Sequence, residues 1–102
     1  MIDPVTLPTQ DTQQEEELQE PRWYRVLLHN DDYTTMDFVV HVLQSVFGKT
    51  EAEAYAIMMR VHKEGIGECG VYTAEIAETK VQLVHSLARR NSFPLRASME
   101  EV

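Results

Sequence analysis

Residues 29–36, "HNDDYTTM", place an amide and two carboxylates side by side in Asn30, Asp31 and Asp32. They follow the apolar run "WYRVLL" and precede "DFVVHVLQSVF". Hard oxygen ligands of this kind suit a cation such as calcium. However, a calcium loop opening at Asn30 or Asp31 puts His41 or Val42 where the bidentate Glu belongs, and the mid-loop glycine is missing. The histidines, His29, His41, His62 and His85, are widely spaced and form no HExxH pattern. No metal site is expected. Catalysis finds no better footing, because the chain has no Gly-x-Ser-x-Gly elbow, phosphate-cradling glycine loop or reactive-cysteine signature. Cys69 lies among apolar residues, as an inert buried thiol does.

Binding remains. Asn30 offers a carbonyl acceptor, Asp31 a carboxylate and a neutral His62 a ring nitrogen. Three convergent acceptors suit an ammonium group, which only donates. Met36, Val39, Met58, Val61 and Leu95 can line an apolar hole beside them, and flexible thioethers adapt to bulky side chains. An amine clamp beside an apolar pocket reads the first residue of a peptide. The same residues also read as a solvated turn over an ordinary core, and composition and spacing alone favour that plainer reading.

The elements that must position these groups follow from periodicity. "WYRVLLH" (23–29) is rich in strand formers, with Tyr24, Val26 and Leu28 on one face. Thr34 with Asp37 has capping spacing, and Val39, Val42, Leu43 and Val46 then recur at helical intervals up to Gly48. Thr50 with Glu53 repeats the cap for a second helix, whose stripe is Ala54, Ile57, Met58 and Val61 and whose stop is Gly65. "ECGVY" (68–72) reads as a strand. Thr73 caps a third helix with Glu75 and Glu78 at its start and Arg89 and Arg90 at its end, a polarity that suits the helix dipole. "FPLRASM" (93–99) alternates Leu95, Ala97 and Met99 as a final strand. The order β-α-α-β-α-β predicts an α+β two-layer sandwich, a three-stranded antiparallel sheet with three helices on one face.

Charge narrows the function classes. The net charge is −8 over 102 residues, yet residues 22–99 hold nine acidic and nine basic side chains. The acidity lies in the ends, above all in residues 1–21, which combine six acids with prolines and glutamines and no Lys or Arg. That composition predicts a disordered N-terminal arm ahead of a core domain at 22–102. A basic patch for nucleic acid is missing. No apolar run approaches the ~20 residues of a membrane span, and the N-terminus lacks signal-peptide character. One cysteine without a partner fits a reducing, cytoplasmic setting.

The runs "YRVLLHNDDYTTMDFVVHVLQSVF", "MMRVHKEGIGECGVYTAEIAETKV" and "FPLRASME" resemble the ClpS family, adaptors that bring N-degron substrates to the ClpAP protease. The similarity spans roughly residues 22–101, and "NDDYT", "CGVYT" and "AETK" in order are far more specific together than singly. It implies a ClpS-type domain, monomeric, without catalytic activity or cofactor. It implies that Asn30, Asp31 and His62 hold the α-amino group of an N-terminal Leu, Phe, Tyr or Trp. Asp32, Thr34, Met36, Val39, Met58, Val61 and Leu95 would shape the side-chain pocket. Glu75, Thr79 and Lys80 would belong to the face that docks on the N-terminal domain of the ClpA unfoldase. Two departures stand out: Thr35 replaces the family's usual proline, and "LRASM" lacks the cysteine many relatives carry there. The alternative is a general interaction domain of the ribosomal stalk C-terminal type, without a peptide pocket.

Overall fold

The computed structural model describes residues 20–102; the expected arm at 1–21 lies outside them except for Glu20 and Pro21. Three strands, β1 (Trp23–His29), β2 (Ile66–Thr73) and β3 (Arg96–Glu101), form one antiparallel sheet in the order β2-β1-β3. The helices α1 (Met36–Ser45), α2 (Glu51–Glu64) and α3 (Ala74–Arg90) complete the β-α-α-β-α-β order. This is the two-layer α+β architecture that the periodicity predicts.

The central strand is the most hydrophobic, because both its edges and one of its faces are covered. Val26 and Leu28 are fully buried and pack with Val42 and Leu43 of α1, Ala54 and Val61 of α2 and Val84 of α3. Leu27 points to the other face, yet is only 9% exposed. Arg25 on that face pairs with Glu68 at 3.2 Å and Glu100 at 3.0 Å, so its neighbouring strands are bridged across β1. Pairing runs Val26↔Gly70 and then Leu27↔Glu68, which leaves Cys69 as the extra residue of a β-bulge, turned into the core.

Helix ends follow local chemistry, with corrections. Thr50 and Glu53 form a reciprocal capping box, and Gly65 ends α2 in the left-handed region at φ 90°. The cap of α1 is Thr35, whose hydroxyl accepts from the Phe38 N–H at 3.1 Å, and not Thr34. The Thr34 hydroxyl is already donated to Asp31. Thr73 stands at the N-cap of α3 in extended geometry without a side-chain cap bond. The third strand begins at Arg96 and not at Phe93. Ser92 turns at φ 62°, Phe93 packs on Phe38 with ring centroids 4.7 Å apart and planes tilted by 40°, and pairing with β1 starts at Arg96 opposite His29.

Candidate functional site

The end of β1 and the end of α2 meet through one backbone bond. The Asn30 N–H donates to the Gly65 carbonyl at 2.9 Å, directly beyond the helix that carries His62. Glycine is needed at 65 because the turn requires positive φ. Asn30 and His62, 32 positions apart in the chain, thereby reach the same place.

Asp31 then builds the loop. Its Oδ1 accepts from the Tyr33 N–H at 2.8 Å and the Thr34 N–H at 2.7 Å, while Oδ2 accepts from the Thr34 hydroxyl at 2.8 Å. This is an Asx-type turn that replaces solvent with three local donors. Burial pushes the Asp31 carboxyl up, but the bonds from Thr34 and Tyr33 outweigh it and hold it below its ordinary value. The group stays ionised at neutral pH. A carboxylate has about four acceptor positions, so three bonds leave capacity on Oδ2. Thr35 caps the helix that follows and sets Met36 at its first position.

These elements enclose a cavity of about 260 Å³ lined by Asn30, Asp31, Asp32, Thr34, Met36, Val39, Met58, Val61 and His62. Small-molecule sites typically run to ~300–1,000 Å³, so this one has the scale of a single large side chain. Its polar residues gather on the 30–34 loop and at His62, and its apolar ones on α1 and α2. The floor is built from the core: Val39, Met58 and Val61 are at most 6% exposed, whereas Met36 at the mouth is 44% exposed. Leu95 does not join the wall. It is 4% exposed and packs in the core just ahead of β3. The sequence pattern placed it correctly inside but could not tell core from pocket.

The remaining residues lie elsewhere. Glu75 and Thr79 are exposed on α3. Lys80 is half-buried, and its ammonium donates to the Val46 carbonyl at 2.7 Å, a contact no sequence signal announced. Thr35 is the other residue that sequence reasoning passed over, since two adjacent threonines offer the same cap and only the Asp31 bond decides between them. Among the described residues no group of three or more His, Cys, Asp or Glu side chains is placed to hold a metal ion. Among them, too, no helix is long and apolar enough to cross a membrane.

Comparison with known proteins agrees with this architecture. The family model described as "ATP-dependent Clp protease adaptor protein ClpS" matches residues 19–98. The ATP-dependent Clp protease adapter protein ClpS of Nitratidesulfovibrio vulgaris (strain Miyazaki F) is 65% identical over 88 residues, 86% of this chain and 88% of the relative. Its counterpart in Oleidesulfovibrio alaskensis is 67% identical over 88 residues, 86% of this chain and 85% of that protein. The structure of Agrobacterium tumefaciens ClpS2 bound to L-phenylalaninamide superposes with a TM-score of 0.79 at 37% identity, covering 81% of this chain and all of that one. The chain belongs to the ClpS family of ATP-dependent Clp protease adaptors.

Proposed function

We propose that this chain is a non-enzymatic adaptor that binds the free N-terminal residue of a substrate and hands the substrate to a ClpA-type unfoldase in the cytoplasm. The observation that carries the reading is the composition of one cavity: hydrogen-bond acceptors at one end and an apolar hole at the other. An α-ammonium donates to Asn30, to the free position on Asp31 and to a ring nitrogen of His62. The first side chain enters between Met36, Val39, Met58 and Val61, with Asp32 and Thr34 at the rim. Burying a Leu- or Phe-sized side chain contributes roughly 1.5–3 kcal/mol, which favours Leu, Phe, Tyr and Trp over small or polar residues. The related Agrobacterium protein binds L-phenylalaninamide, a ligand with a free α-amino group and a large apolar side chain. A stalk-type interaction domain has no use for such a cavity, so the adaptor reading is preferred.

Docking on the unfoldase is assigned to the start of α3, where Glu75 and Thr79 are exposed and Lys80 follows. The test is reconstituted degradation of a Leu-initiated fluorescent protein by ClpAP. Adding this chain should accelerate loss of fluorescence, and Glu75→Lys should abolish the acceleration while peptide binding survives. Degradation at the same rate with and without the chain would refute the adaptor role.

A further inference from the structure

Lys80 faces inward on α3. Its Nζ lies 2.7 Å from the Val46 carbonyl oxygen, 5.6 Å from the centre of the Tyr72 ring and 6.0 Å from that of Phe47. Val46 is the C-cap of α1. The last carbonyls of a helix have no intrahelical partner and carry partial negative charge. Two of the neighbouring ones are met by the chain's own backbone: Gly48 N–H donates to Gln44 and Lys49 N–H to Leu43, each at 3.1 Å. Farther back, the Ser45 hydroxyl donates to the His41 carbonyl at 2.8 Å. The last turn of α1 contains no basic residue. The cation that complements this helix end is therefore supplied from another helix, 34 residues downstream.

The two rings extend the contact to the sheet. Phe47 is 8% exposed and follows α1 directly. Tyr72 stands on β2 and lies over Gly70, where a Cβ would collide with its ring. One ammonium thus ties α3 to the end of α1 by a charge-assisted hydrogen bond and to β2 by a cation–π contact. α1 has ten residues, a rod about 15 Å long at 1.5 Å per residue. Its far end carries Met36 at the mouth of the cavity and Val39 in its floor. A rod held at one end has its other end placed by the same contact.

We propose that Lys80 is a positioning residue: it clamps the C-terminal end of α1 to α3, and through α1 sets the mouth of the peptide cavity. This adds a role within the chain to the proposed docking of the start of α3 on the unfoldase.

Only three lysines, Lys49, Lys63 and Lys80, are present, so selective acetylation of the native chain followed by mass spectrometry reads each one. Lys63 is exposed. Lys80 should react about ten-fold or more slowly, the factor a charge-assisted hydrogen bond provides. Equal rates would overturn the clamp. The second arm compares Lys80→Met, which keeps the stem, with Lys80→Arg, which keeps the donor and the cation. Lys80→Met should melt roughly 4–8 °C lower and change the Leu-over-Ile peptide ratio at temperatures where it is fully folded, and Lys80→Arg should restore both. A variant that melts lower but keeps the wild-type ratio overturns the positioning role. The peptide readout rests on the proposed recognition of free N-termini. The acetylation readout does not, so a wild-type chain that binds no peptide sinks that reading while leaving the clamp to be decided by labelling.

Discussion

Gly67→Ala tests how tightly the cavity wall is seated on the sheet. Gly67 is buried on β2 opposite Leu28, and a Cβ built on it would lie 2.7 Å from Val61 Cγ2 and 3.4 Å from the Ile57 carbonyl oxygen. The first distance is shorter than any ordinary carbon contact, so something must move. Val61 is β-branched and in a helix has one strongly preferred rotamer, which removes the easy escape. Either α2 lifts from the sheet or Val61 swings into the cavity it lines. Overpacking of this kind costs about 1–3 kcal/mol. Replacing glycine also reduces the freedom of the unfolded chain, a gain of roughly 0.4–1 kcal/mol. The net is a loss of about 0–2.5 kcal/mol, or a melting temperature lower by as much as ~10–20 °C. Thermal unfolding by circular dichroism measures the first part. Anisotropy titration of a Leu-initiated peptide, at a temperature where the variant is folded, measures the second and should show weaker binding. A variant that melts no lower and binds the peptide as the parent does would refute the close seating of Val61.

Three more outcomes follow from individual side chains. Met36→Ala should admit Ile- and Val-initiated peptides: in the proposed binding mode the thioether at the mouth would stand where a branched Cβ must pass. Removing a contact of that size is worth ~1–3 kcal/mol, roughly 10–200-fold in discrimination, and an unchanged Leu-over-Ile ratio would make Met36 mere packing. Burial pushes the Cys69 thiol up to about 12. Native protein at pH 8 should therefore resist iodoacetamide that labels the denatured chain, and rapid native labelling would contradict the bulge geometry. His29 is held below its ordinary value by burial, with the Arg96 cation adding to it. The unfolded chain then binds the proton more readily, so this contribution is present above the ordinary histidine pKa of about 6.5 and lost as pH falls below it. Melting temperature should drop between pH 7.5 and 5.5, and His29→Gln should flatten that drop.

What could be read before the structure depended on how local the cause was. The box at Thr50 and Glu53 and the glycine at 65 are settled within four residues or by one backbone angle, and both are where their spacing puts them. Thr34 and Thr35 compete for one cap, and the winner depends on an Asp31 bond that no spacing rule contains. Leu95 shows the limit of periodicity: alternation marks it as buried without saying whether its neighbours are core or ligand. The same limit moved the start of β3, since alternation begins at Phe93 but pairing does not. Asn30 and His62 are brought together by the Asn30–Gly65 backbone bond, and Lys80 meets Val46 only in three dimensions. Acceptor chemistry and the family resemblance both grouped the first pair, whereas no spacing rule announces the Lys80 bond to Val46.

The central claim is that the cavity reads a free α-amino group together with a large apolar side chain. The direct measurement is calorimetric or anisotropy titration of one Leu-initiated peptide in two forms, with its N-terminus free and with it acetylated. Acetylation removes the positive charge and leaves Asn30, Asp31 and His62 without their donor, at roughly 1–3 kcal/mol for each buried group left unpaired. The account predicts that the free peptide binds and that the acetylated one loses at least tenfold in affinity. Equal affinity for the two would contradict it.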